Sequence, residues 1–120
     1  MSLPLTPAIL RAAYEYLRAT PPFRGWGLPT GKEVRFQVLR TKDRHGDHYG
    51  FVGQPGHVIR ISAGRIGRTH SLMEVMAHEM IHARQQERKT YTANTQHNAE
   101  FHKLAAGVCK VHGFDPKLFT

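Results

Sequence analysis

"SLMEVMAHEMIHARQQER", residues 71–88, combines a packing pattern with a chemical one. Leu72, Val75, Met76 and Met80 recur at helical spacing, and Ala77 and Ala83 are small enough for close packing against a neighbour. Ser71 followed three residues on by Glu74 has the form of a capping box, so a helix is expected from about 72 to 88. On that helix His78 and His82 lie four apart, on one face and one turn from each other. Their ring nitrogens can converge on one tetrahedral cation about 2 Å from each. Glu79, rotated to the flank of the same face, can reach an open coordination position rather than the metal. A carboxylate there takes a proton from water and later delivers it to a leaving amine. The spacing His-Glu-x-x-His is what this division of labour requires.

Two histidines hold a metal poorly, and a catalytic zinc takes three protein ligands while keeping one position open. The third must come from another element. "HNAEFH", residues 97–102, offers His97, Glu100 and His102, whereas His112 stands too far along the last helix. That helix is expected over about 98–112, ended by Gly113 and Pro116. Asn98 can cap it, which lets His97 point back across the connection between the two helices. Glu100 and His102 fall on different faces, so at most one of them could face the metal. Geometry alone ranks His97 first and Glu100 second, and leaves both open.

Upstream of the motif the pattern changes from helix to strand. Thr6 can cap an N-terminal helix with Pro7 in its first turn and Ile9, Ala13, Tyr16 and Leu17 at helical spacing. "ATPPFRGWGLPTG" (19–31) ends it, and Phe23 and Trp26 are expected to pin that loop to the core. In "EVRFQVLR" (33–40), Val34, Phe36 and Val38 alternate with polar neighbours as in a half-buried strand. "HYGFVG" (48–53) and "HVIRISA" (57–63) read as two further strands joined at Pro55 and Gly56. The expected fold class is α+β: an N-terminal helix, a small three-stranded, mostly antiparallel sheet over about 33–63, then two helices carrying the zinc site, as in zincins. Residues 1–120 form one domain in this reading. A chain of this size buries roughly two-thirds of the surface that its unfolded form exposes, enough for one modest core.

Composition narrows the setting. Seventeen lysines and arginines against nine acidic residues give a net charge of +8, with nine histidines besides. That balance favours polyanions, and nucleic acid is the usual one inside a cell. Arg60, Arg65, Arg68, Arg84, Arg88 and Lys89 flank the motif helix, while Arg35, Arg40, Lys42 and Arg44 occupy the sheet and its turn. They suggest a basic surface that carries DNA past the metal, with affinity falling as salt rises. His45, His48, His57 and His70 read as surface polar groups rather than a second metal site, and Tyr91 as a solvent-facing loop residue. The lone Cys109 excludes an intrachain disulfide or a cysteine-rich ribbon, and reads as a small buried residue. No apolar stretch is long enough to span a bilayer, and "MSLPLTPAILRAAYEYLRA" has no basic region before a hydrophobic run. A cytoplasmic, nucleoid or nuclear protein with no membrane partner is expected, acting as a monomer.

"ISAGRIGRTHSLMEVMAHEMIHARQ…HNAEF" resembles the SprT-like family of zinc metalloproteases, which includes the Spartan proteases that act on DNA–protein crosslinks. Ile59, Ile61 and Ser62 match its strand, His78, Glu79, Met80, His82 and Ala83 its helix, and His97 and Phe101 its third-ligand motif. "PPFRGW" and the strand from Val34 are similar to the family's opening, so the likeness covers nearly the whole chain. A minimal form of that family, without a zinc ribbon, is expected. Asn98 stands where the family usually has glycine; asparagine tolerates positive φ better than most residues.

The resemblance implies His97 as the third zinc ligand, Glu79 as the catalytic acid–base and proteins bound or crosslinked to DNA as substrates. Two other readings remain: a DNA-binding module whose zinc is structural, and a zinc hydrolase of a non-DNA substrate.

Overall fold

A computed structural model describes residues 5–40, 46–50, 56–63, 69–90, 97–117 and 119. Helix α1 spans Pro7–Arg18; the Thr6 hydroxyl accepts from the Ile9 backbone N–H at 3.2 Å, and Pro7 opens the first turn as expected. Its buried stripe is Leu10, Ala13, Tyr14 and Leu17, the i, i+3, i+4, i+7 set. Tyr16, expected on that stripe, falls off it and is 60% exposed, because Tyr14 holds the inward position. The Tyr14 ring meets Phe36 edge-on at 5.4 Å and its hydroxyl donates to the Pro29 carbonyl at 2.5 Å. Phe23 and Trp26 are buried in T-shaped contact at 4.9 Å, so the glycine- and proline-rich loop is pinned as expected.

Strands β1 (Val34–Leu39), β2 (Gly46–Gly50) and β3 (His57–Ser62) form one sheet in the order β1-β3-β2. The α+β class and element order agree with expectation, but the sheet is mixed rather than mostly antiparallel. β2 and β3 pair antiparallel, with His48 opposite Ile59, whereas β1 joins the other edge of β3 in parallel, with Phe36 opposite Ile59. Placing β3 in the centre explains its burial: in "HVIRIS" only Arg60 keeps substantial contact with solvent. A near-continuous apolar run belongs to a strand covered on both faces. The expected turn at Pro55 lies outside the described residues.

Helix α2 (Thr69–Arg88) packs across the sheet. It begins at Thr69, earlier than the pattern implied, so Ser71 lies inside its first turn. Leu72, Met76, Ala77, Met80, Ile81 and Ala83 form its core face. β2 lies close against this helix because both of its ends are glycine. A Cβ on Gly46 would run into the Arg60 carbonyl oxygen of β3 at 2.5 Å and stand 3.1 Å from Val75 Cγ1 of the helix, and one on Gly50 would run into the Gln86 amide. α2 closes with Lys89 in the left-handed region at φ 55°, while Lys89 N–H donates to Gln86 O and Thr90 N–H to Gln85 O. This is a Schellman ending, built on a residue other than glycine. Helix α3 (Ala99–His112) buries Phe101, Ala105, Val108 and Cys109 and ends at Gly113, φ 76°, as expected. Among the described residues, no helix is long and apolar enough to cross a membrane.

Candidate metal centre

α2 and α3 bring three imidazoles to one point. The Nε2 atoms of His78 and His82 lie 3.2 Å apart, those of His82 and His97 3.1 Å, and those of His97 and His78 3.3 Å. Three ring nitrogens in a near-equilateral triangle cannot all hydrogen bond to one another, because each Nε2 is either a donor or an acceptor. A cation between them resolves the conflict. The edge of a tetrahedron with arms of about 2.0–2.1 Å is about 3.3–3.4 Å, close to the triangle observed. His78, His82 and His97 could therefore hold a metal ion.

The side chains around the triangle suit that role. His82 is buried, and burial is the main cause that lowers its pKa to about 4, followed by an opposing hydrogen bond to the Gln85 amide oxygen and the charge of His97. His97 is also held below the usual imidazole range, by burial and then by His102. Both rings are thus neutral at pH 7, the form that ligates. The Phe101 ring lies beneath the site, its centroid 5.0 Å from His78, 5.0 Å from His82 and 4.5 Å from His97. Phe119 closes over His78 at 5.8 Å and stacks on Phe114. His97 remains exposed, so the triangle opens to solvent on one side.

Glu79 follows the first histidine and is only 4% exposed. Desolvation, and then the negative charge of Asp47 on β2, raise its pKa to about 8. Asp47 itself accepts from Arg60, its partner across the β2–β3 pair, at 2.6 Å from Nε.

Glu100 and His102 do not join the triangle. Glu100 accepts from the Thr90 hydroxyl, and His102 is exposed, with its ring edge-on to Phe101 at 5.6 Å. His112 Nε2 is occupied at the other end of α3, 2.9 Å from the Pro21 carbonyl oxygen and 3.1 Å from the Thr20 hydroxyl.

A match to the SprT-like family model extends over residues 24–118, most of the chain. The chain belongs to the SprT-like family. No curated protein and no solved structure gives a significant match. In this SprT-like domain the family motif and the histidine triangle coincide. Met80 and Ala83 of the motif helix are core residues, and Ile59, Ile61 and Ser62 are buried on the central strand behind it. Asn98, at the family's glycine position, needs no positive φ: it sits at −84° and its Oδ1 accepts from the Phe101 N–H at 3.0 Å as the cap of α3.

Several expectations need correction. His48 and His57 are not surface groups: they are 8% and 1% exposed, and their rings are joined at 2.8 Å. His57 Nε2–H donates to Glu87 Oε2 at 2.6 Å near the C-terminal end of α2. β3 is central and β2 lies under α2, so polar residues on them are enclosed, and a buried imidazole needs such partners. Two of the arginines read as basic surface are engaged within the fold. Arg60 is tied to Asp47 and lies over Tyr49, while Arg84 turns inward over Trp26 at 5.2 Å. Arg35, Arg40, Arg88 and Lys89 are exposed; Lys42, Arg44, Arg65, Arg68, His45 and Tyr91 lie outside the described residues, and no side-chain placement is described for His70. Phe119, Asp47 and the Gln85–Asn98 contact at 3.2 Å carried no recognisable signal in the sequence.

Proposed function

We propose that this SprT-like domain is a zinc metallopeptidase, with His78, His82 and His97 as ligands and Glu79 as general base and then acid. The observation that carries the reading is the Nε2 triangle with edges of 3.1–3.3 Å beside a buried carboxyl at the adjoining residue. Zinc bound there would polarise a scissile carbonyl and acidify water. Glu79, with a pKa of about 8, is matched to accept a proton from water and return it to a leaving amine near neutral pH. Asp47, sheathed by Arg60, helps hold that value. The exposure of His97 favours a catalytic over a structural metal, since structural zinc is closed by a fourth protein ligand.

The substrates in this reading are proteins bound or crosslinked to DNA, supported by the family likeness and the net charge of +8. Arg40, Arg88 and Lys89 are exposed and available to phosphates. A substrate strand would pair with the outer edge of β2, the edge strand lying against α2.

Cleavage of a DNA-binding protein, measured with and without single- and double-stranded DNA, tests the reading against Glu79→Gln. Loss of cleavage with zinc and fold retained supports it. Unchanged cleavage by the variant, or none by the wild type under any DNA condition, defeats it.

A further inference from the structure

Asn98 makes no use of the backbone freedom of the glycine it stands in for; its side chain is what matters. The Phe101 backbone N–H can only donate, so the Asn98 atom 3.0 Å from it must be the amide oxygen. The Thr90 carbonyl can only accept, so the Asn98 atom 3.0 Å from it must be the amide nitrogen. The two contacts independently impose one orientation on the amide. Gln85 meets that oxygen at 3.2 Å and must present its NH₂ group. Its own oxygen is thereby turned toward His82 Nδ1 at 2.8 Å, in a buried setting. An amide oxygen accepts only, so Nδ1 of His82 must carry the proton. His82 Nε2 is left with a bare lone pair, and this is the atom facing His78 and His97.

We infer that Gln85 and Asn98 are positioning residues that relay the polarity of the α3 N-terminus to His82 and set its metal-ligating tautomer before a metal arrives. A histidine side chain free in water favours the proton on Nε2, so this chain needs a device that reverses the preference. The same relay binds α2, which carries two of the histidines, to the cap of α3, beside the third. Ligand orientation and helix spacing are therefore set by one set of hydrogen bonds. The inference rests on the three histidines as a metal site and is independent of which bond, if any, the protein cleaves.

Long-range ¹H–¹⁵N spectra of the metal-free protein at pH 7 read the tautomer directly, and chelator competition reads zinc affinity. The wild type is expected to carry the His82 proton on Nδ1. Gln85→Leu removes the acceptor, so the Nε2-protonated form should appear and zinc affinity should fall about 10–100-fold. Asn98→Asp keeps an oxygen for Phe101 and Gln85 and should preserve the wild-type tautomer, whereas Asn98→Gly frees the Gln85 amide to turn over and should give a mixture. A wild-type His82 protonated on Nε2 overturns the inference, as does a folded Gln85→Leu with unaltered tautomer and affinity. If Gln85→Leu does not fold, equal spectra for Asn98→Asp and Asn98→Gly overturn it instead. A wild type that cleaves no protein but shows the Nδ1 proton counts against the peptidase and for the relay.

Discussion

Phe101 lies parallel beneath the imidazole of His82, with ring centroids 5.0 Å apart and planes 19° from parallel. The same ring touches the other two histidines, so one α3 side chain forms the floor for ligands from both helices. Phe101→Leu keeps an apolar group of similar bulk but loses the flat surface. It is expected to cost about 1–2 kcal/mol of stability and to weaken zinc about tenfold. Urea unfolding and chelator competition measure the two effects, and zinc affinity equal to wild type would remove the role assigned to the ring.

Glu79→Gln carries a second expectation beyond lost activity. The native carboxyl has its pKa raised from 4.5 to about 8, so the folded metal-free protein holds a proton that the unfolded chain releases. Wild-type stability from this group is full below 4.5 and declines as pH rises through 8, at up to about 1.4 kcal/mol per pH unit. The glutamine has no such decline. Metal-free Glu79→Gln should gain on wild type between pH 5 and 9 in urea midpoints, while cleavage falls by a factor on the order of 10²–10⁴.

His48 gives the opposite slope. Its pKa is lowered from 6.5 to about 3 by burial, then by the charges of His57 and His82. The unfolded chain takes up a proton near 6.5 that the folded protein refuses until about 3, so the contribution present at neutral pH is lost as pH falls through that window. His48→Leu lacks this dependence. Its stability deficit at pH 7 should shrink toward pH 4, and parallel pH profiles for the two proteins would contradict the buried placement.

Lys89 closes α2 with φ at 55°, a conformation that costs a residue with a side chain about 1–2 kcal/mol. Lys89→Gly relieves the strain and returns part of the gain as unfolded-state entropy, leaving about 0.5–1 kcal/mol of stabilisation. A thermal midpoint raised by a few degrees is the expected result; a lowered one would show that Lys89 is held there by something other than the helix ending.

What could be read from the sequence follows from how local each feature is. His78, Glu79 and His82 are fixed by helical spacing alone, and the caps at Thr6 and Asn98 and the stop at Gly113 are equally local. His97 is different: spacing ranked it above Glu100, but the family resemblance was needed to choose it, because the fold of the intervening chain decides which one returns to the helix. Strand direction leaves no trace in side-chain alternation, so the parallel pairing of β1 with β3 was not legible. Nor was the burial of His48 and His57, since polarity alone marks a residue as exposed until the central place of β3 is known. The Tyr14–Tyr16 exchange shows the same limit on a smaller scale. Two tyrosines two positions apart cannot share a helix face, and the stripe through Leu10, Ala13 and Leu17 admits only Tyr14.

Thr90 and Asn98 are joined by a hydrogen bond from Asn98 Nδ2 to the Thr90 carbonyl oxygen, and the Thr90 hydroxyl reaches Glu100 one step further along α3. The two ends of the interhelical connection are thereby fastened to each other directly, like the poles of a clasp. The fastening point is the residue next to His97, so the chain on the α3 side of the third histidine is held directly to the end of α2. Evolution, or an engineer, can therefore vary residues 91–96 to install new recognition elements beside the site, provided Thr90, His97 and Asn98 are kept as the anchors of the connection.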